Sequence, residues 1–449
     1  MELRRKCEDT IKQWYKKSKK ALLIKGARQV GKTHIIRSVL DSVDCEYVEI
    51  NLIEMPAAIS VLEQITNVNQ LITGLSTIIN KKLIRGKTVI FIDEVQKYPE
   101  MVTKIKFLVD EGSFRYILSG SLLGIELHGL QSAPVGYMSI IDMYPLDFKE
   151  FLQISGVPDD TIGYLRESFE NKTPVMDAVH DKMMDLFIQY LTVGGMPDAV
   201  CAFCETGSLN DVSVIHKDIK TLYKLDFTQY EEKEKKLLIS MAYDLIPSEL
   251  LKQNKRFLIS DLKKNEKYER VERTFLWLIN AGVALPAYNV GEPRIPFKIS
   301  EKHSLFKLYS SDVGMLASEY GMSTKRSLIT KDPHLNAGGI FENVVAQELI
   351  SKGYDLYYYN SNRLGELDFV IDHNGHSLPI EVKSGKDYTI HSALNNCLKN
   401  EQYEMEEAVV FSGYNVSVNE KITYLPIYMV MFFDKDGEDM VLPRISFTE

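Results

Sequence analysis

The stretch ALLIKGARQVGKTHII (Ala21–Ile36) decides how the chain is read. ALLIKG reads as a buried strand running into a Gly-rich turn, and KTHIIRSVLD continues as a helix. Between them, Gly26 to Thr33 matches the pattern GxxxxGK[ST]. In such a loop the backbone amides point inward and cradle a β-phosphate, helped by the positive end of the following helix. Lys32 is expected to reach the β- and γ-phosphates, and Thr33 to offer its hydroxyl to magnesium. The nucleotide-contacting set is therefore Gly26, Ala27, Arg28, Gln29, Val30, Gly31, Lys32, Thr33 and His34, with ATP and Mg2+ as the cofactors.

Outward from the loop, strand and helix patterns alternate. CEYVEINL, KTVIFIDEVQ, FRYILSGS and YMSIIDMYPL read as further strands, with helical stretches between them. That spacing implies a parallel sheet covered on both faces. Asp93 ends the apolar run VIFID, where it can hold magnesium through water, and Glu94 is placed to polarise an attacking water. The adjacent Asp-Glu pair favours hydrolysis over binding alone. Ser119 is a candidate sensor at the end of the fourth strand, where a polar strand cap is the competing explanation.

The 449 residues allow two to four domains, and a hydrophobic content of 45% suffices for buried cores. A net charge of -9 argues against a polybasic nucleic-acid binder, though not against a local basic surface. Such a surface is a candidate around Lys252, Lys255, Arg256, Lys263, Lys264, Lys267, Arg270 and Arg273, diluted by interleaved acids. Five scattered cysteines exclude a disulfide framework, and Cys201 and Cys204 read as two thiols on one helix face. The basic N-terminus lacks the apolar segment of a secretory signal, and no apolar run reaches membrane-spanning length. A cytoplasmic protein of prokaryotic style is expected, with no membrane partner.

From about Asp147 helices dominate, and FLWLINAGVALPAYNV reads as helix, Gly turn and strand, as in a winged helix. Near Ala337 a new α/β pattern starts, containing GELDFVIDHNGHSLPIEVKSGK (Gly365–Lys386). Asn374-Gly375 is a strong two-residue hairpin signal. That turn sets Asp368 opposite Glu381, puts Lys383 on the same face, and makes the other face wholly apolar. Facing carboxylates repel unless a cation or proton lies between them, so Asp368 and Glu381 are candidate ligands for Mg2+ or Mn2+. A salt-bridged hairpin that binds nothing is the competing reading.

LLIKGARQVGKT, FIDEVQKYPE, YILSGSLLG, MYPLDFKEFL and YLTVGGMPDAV together resemble the AAA-type ATPases of bacteria and archaea that carry a C-terminal domain of unknown function. The resemblance covers nearly the whole chain. It implies an α/β protein: an ASCE P-loop core at 1–148, a helical segment at 149–234, a winged-helix-like region and linker at 235–335, and a restriction-endonuclease-like domain at 336–449. One position departs from the family: Gly136-Tyr137 stands where many relatives have Gly-Arg, a candidate γ-phosphate finger. Arg28 and Arg115 are the candidate substitutes. The Asp, Glu and Lys of the hairpin resemble the PD-(D/E)XK nuclease superfamily, which implies catalytic roles for Asp368, Glu381, Lys383 and a helical acid, Glu342. An ATPase that regulates a nuclease-like, DNA-interacting domain is one expectation. The other is a switch or scaffold whose inactive nuclease-like domain binds a protein or nucleic-acid partner. An oligomer is compatible with either.

Overall fold

A computed structural model describes residues 4–43, 45–121, 136–227 and 233–435. The end of the expected C-terminal domain, 436–449, lies outside them. Strands β1 (Ala21–Lys25), β2 (Tyr47–Asn51), β3 (Val89–Asp93), β4 (Arg115–Gly120) and β5 (Met138–Asp142) form one sheet in the order β2-β3-β4-β1-β5. Every pairing in it is parallel. The side-chain period of two sends Leu22 and Ile24 to one face and Leu23 to the other. Leu22 and Ile24 pack with the helices Cys7–Lys17 and Lys32–Ser42, while Leu23 packs with helices from 56–79 and 100–111. Burial on both faces explains why these strands read as continuous apolar runs. Each fully buried aliphatic side chain contributes about 1.5–3 kcal/mol.

A helical layer follows. Its first helix, Phe148–Ile154, starts with a complete capping box between Asp147 and Glu150. Phe148, Phe151, Phe187 and Tyr190 form an aromatic knot that ties this helix to Asp177–Val193.

The second sheet has eight strands: β6 (Ala284–Val290), β7 (Glu301–Ser310), β8 (Tyr357–Ser361), β9 (Gly365–His373), β10 (His376–Val382), β11 (Ala408–Ser412), β12 (Ser417–Asn419) and β13 (Ile422–Pro426). Their order is β12-β13-β11-β10-β9-β8-β6-β7. The β6–β7 hairpin, expected within a winged-helix-like region ending at 335, is hydrogen-bonded to β8, with Tyr288 paired to Tyr357. The sheet therefore runs across the expected boundary. The reason lies in the backbone: Tyr288–Val290 of β6 pairs with Tyr357–Tyr359 of β8, which satisfies edge amides and carbonyls that a separate hairpin would leave open. The β9–β10 turn takes the expected form, with Asn374 and Gly375 both at positive φ (53° and 78°). Its ladder runs from His376 opposite His373 to Ile380 opposite Phe369, and just beyond that end the Val382 amide donates to Asp368. Phe369, Ile371, Leu378, Ile380 and Val382 share one core, but Leu367 packs with Val370 in another, because the β8–β9 register shifts between them. No described helix is long and apolar enough to cross a membrane.

Candidate functional site

The loop between β1 and the helix Lys32–Ser42 is shaped by backbone that few residues adopt. Gly31 (φ 91°) and Gln29 (φ 67°) are left-handed, and a Cβ on Gly26 would collide with the Met143 carbonyl oxygen. Lys32 is buried, and its Nζ donates to the carbonyls of Gly26 (3.1 Å) and Ala27 (2.8 Å). Burial pulls its pKa down to about 8, against the opposing pull of Glu94 and Asp93. Thr33 Oγ1 donates to Asp93 Oδ2 at 2.8 Å. Two groups in one magnesium shell stand roughly 3 Å apart, so this pair can share a cation. His34 is exposed in the first helical turn.

The strand order explains how Asp93 is held. β4 lies between β1 and β3, so Ser119 comes beside the end of β3, and its hydroxyl donates to Asp93 Oδ1. Ser119 thus orients Asp93, a contact that sequence reading could not assign. Glu94, at φ 56°, turns its carboxylate to the amide of Gln96, which also reaches Ser121 Oγ at 3.3 Å. Gln96 and Ser121 were missed as site residues. The signal was a glutamine two places after Glu94 and a hydroxyl two places after Ser119.

The arginine candidates separate by position. Tyr137 precedes β5 and Arg115 begins β4, both at the strand ends opposite the loop. Arg115 instead stacks its guanidinium on the Tyr15 ring. Arg28, inside the loop, pairs with Asp226 on the helix Leu209–Phe227, at 2.8 Å. Asp226 was not foreseen; it lies about two hundred residues along the chain, and its role arises only by tertiary packing.

The second site lies in a cavity of about 490 Å³ lined by Lys255, Glu342, Asp368, Glu381, Lys383 and Lys386 among others. The helix Gly338–Ser351 supplies Glu342, and the β9–β10 hairpin supplies Asp368 and Glu381, with Lys383 just beyond it. All four sequence candidates are brought together. Two lysines join them that were not expected there. Lys255 Nζ lies 2.6 Å from Glu342 Oε1, and the fully buried Lys307 lies 3.7 Å from Glu342 Oε2 and 2.7 Å from Glu366 Oε1. Lys383 pairs with Glu381 at 2.7 Å, Tyr309 donates to Glu342 at 3.2 Å, and the Val382 amide donates to Asp368 at 2.9 Å. Burial, reinforced by the Glu342 and Glu381 carboxylates, pushes Asp368 well above the usual carboxylate range. Burial also raises Glu381, against the pull of Lys383.

A metal fits here only through few ligands. Glu381 Oε2 is buried without a hydrogen-bond partner, which suits a cation. Among the described residues, however, no three acidic, histidine or cysteine side chains converge as a metal cage. Part of the basic stripe of 252–273 is likewise paired with neighbouring acids: Lys252 with Glu249 and Asp261, and Lys263 and Arg270 with Glu266.

Residues 18–152 match the AAA domain family. Residues 184–326 and 337–430 match two different domains of unknown function. No curated protein matches the chain. Among solved structures, a Walker-type ATPase of Pyrococcus abyssi shares 14% identity over 71% of this chain and 96% of its own, with a TM-score of 0.43. The Aeropyrum pernix Orc1 protein in complex with DNA shares 11% over 73% and 91%, with a TM-score of 0.27. AMPPCP-bound DnaA from Aquifex aeolicus shares 10% over 60% and 84%, with a TM-score of 0.29. The loop, the Asp93 strand end and the strand order agree with the match of residues 18–152 to the AAA domain family.

Proposed function

We propose that the protein hydrolyses ATP with magnesium at the loop of residues 26–34, and that this cycle regulates a nuclease-like, DNA-interacting C-terminal domain. The observation that carries the first part is the Thr33–Asp93 contact beside a buried Lys32. Lys32 leaves the Gly26 and Ala27 carbonyls for the β- and γ-phosphates, exchanging neutral acceptors for charged ones. Thr33 and Asp93 would hold the magnesium, whose chemistry here is to neutralise charge that builds on the phosphate oxygens. Glu94 accepts the proton of the water that attacks the γ-phosphorus, and Gln96 sets the direction of its carboxylate. Glu94→Gln is the test: ATP binding persists and phosphate release stops. Turnover at the wild-type rate would remove Glu94 from this role.

For the C-terminal domain, Asp368 and Glu381 would hold a divalent cation, with Glu342 as an additional acid. That cation would supply an activated water and charge neutralisation at a phosphodiester. Lys383 stands beside Glu381, where an ammonium stabilises developing negative charge. The order helix, β8, β9, β10, helix Ser392–Leu398, β11 supports the nuclease-like reading. A second reading has its own observation. Lys255, Lys307 and Lys383 already balance most of the charge of Glu342, Glu366, Asp368 and Glu381, as in a domain that only binds a partner. Cleavage assays on linear, circular and single-stranded DNA and on RNA, with Mg2+ or Mn2+, separate the two. No cleavage by the wild type, or equal cleavage by Asp368→Ala, leaves the binding role.

A further inference from the structure

Arg28 is a cation in a phosphate-binding loop, yet its partner is a carboxylate from elsewhere in the chain. Its Nη1 lies 2.8 Å from Asp226 Oδ1, and the Tyr223 hydroxyl donates to the Arg28 carbonyl at 3.2 Å. Asp226 and Tyr223 both belong to the last two turns of the helix Leu209–Phe227, so that helix end is fastened to the loop at two points. Arg28, Asp226, Ser121 and Trp277 line one small cavity. Ser121 connects through Gln96 to Glu94, and Glu94 is among the charges felt by Asp226. The Arg28–Asp226 pair therefore stands on the side of the loop where the hydrolytic carboxylate is.

A γ-phosphate carries about two negative charges in that neighbourhood, and it cannot lie beside Asp226 without repulsion. It also offers an arginine more acceptor oxygens than one carboxylate does. We propose that Arg28 is the residue that distinguishes ATP from ADP, and that Asp226 holds it until a γ-phosphate takes it over. This rests on the ATPase reading above. Once released, Asp226 is a buried carboxylate beside Glu94 with only the pull of Lys97 left to offset it, which favours an outward shift of the helix end that carries it. The same helix pairs Lys220 with Glu319 (2.5 Å) and Asp244 (3.1 Å), Lys224 with Asp244 (2.6 Å), and His216 with Ser318 (2.7 Å). Its displacement loads the helices Val313–Glu319 and Lys233–Leu251, which lead toward the second sheet.

The experiment is equilibrium binding of ADP and of a non-hydrolysable ATP analogue to the full chain. Arg28→Ala should lose about 10- to 100-fold in analogue affinity while ADP binding holds, the size expected for charged hydrogen bonds. Arg28→Lys should restore part of the loss. Asp226→Asn should tighten the analogue several-fold, roughly as expected when a competing ion pair is removed, and leave ADP unchanged. Trp277 touches Phe227 edge-on (centroids 5.0 Å apart), so its emission should respond to the analogue and not to ADP. Equal losses of ADP and analogue in Arg28→Ala, or unchanged discrimination in both Arg28→Ala and Asp226→Asn, overturn the proposal alone. A wild type that binds neither nucleotide overturns the ATPase reading and this one with it.

Discussion

The nucleotide loop and the C-terminal acid cluster are built from the same side chains, lysines and carboxylates, and they satisfy them differently. Lys32 is held by two backbone carbonyls, and the oxygens of Asp93 by the hydroxyls of Thr33 and Ser119. In the cluster, Lys255, Lys307 and Lys383 are each ion-paired with a carboxylate. Neutral partners are exchanged for a charged ligand at small cost, whereas a buried ion pair must first be broken. The loop is therefore ready for a polyanion and its cation. The cluster is nearly balanced already, and a cation entering it must displace a proton or a lysine.

The largest effect that tests this contrast is at Glu94. Glu94→Gln should lower turnover by about 10²–10⁴-fold with ATP affinity intact, measured by phosphate release and by equilibrium binding. A comparable loss of binding would mean that Glu94 shapes the loop instead of acting on water. Next comes the cluster. Asp368→Ala and Lys383→Ala should each cut metal-dependent cleavage by at least about 100-fold and leave ATP turnover alone. Cleavage that survives both variants would make the cluster structural and sharpen the contrast into one active and one inert site.

Smaller is the stability effect of Lys307→Met, which strips the buried cation from Glu342 and Glu366. A loss of about 2 kcal/mol in urea unfolding is expected, reduced from the full buried-pair value because Glu366 reaches solvent. A variant as stable as wild type would show that the cluster does not depend on its lysines. The smallest effect concerns pH. The nucleotide-free Lys32 has a pKa lowered to about 8, and phosphate binding favours its charged form. ATP affinity should therefore fall above pH 8, by up to about tenfold per unit, with proton uptake on binding seen by calorimetry in buffers of different ionisation heat. For folding the sign is opposite. The unfolded lysine binds its proton more tightly (10.5), so this group makes the nucleotide-free protein more stable as pH rises from about 8 toward 10.5.

What was legible in the sequence is what is local. Gly26 to Thr33, Asp93-Glu94 and Asn374-Gly375 each define their geometry within a few residues, and the turn alone fixes the β9–β10 register as far as Phe369 opposite Ile380. Contacts made by distant segments were hidden. Asp226 on the loop, Ser119 on Asp93 and Lys307 in the acid cluster have neighbours that only the packing of sheets and helices supplies. Lys255 shows how such a residue misleads. It stands in a stripe of basic residues that suggests a nucleic-acid face, and its partner is Glu342. The arginine question was half legible: Tyr137 was seen to replace an arginine, but only the strand directions show that Arg115 stands at the wrong end of the sheet.

The eight-stranded sheet has a practical consequence for anyone who would cut the protein apart. A fragment beginning at residue 336 carries every acid of the cluster but lacks β6 and β7. It would bare the edge of β8 with its three tyrosines, an invitation to intermolecular pairing, and would discard Lys255 and Lys307. Such a fragment would aggregate, or would report on a cluster with its charge balance removed. A faithful excision has to begin upstream of Lys255, so that both lysines, the hairpin and the acids travel as one piece.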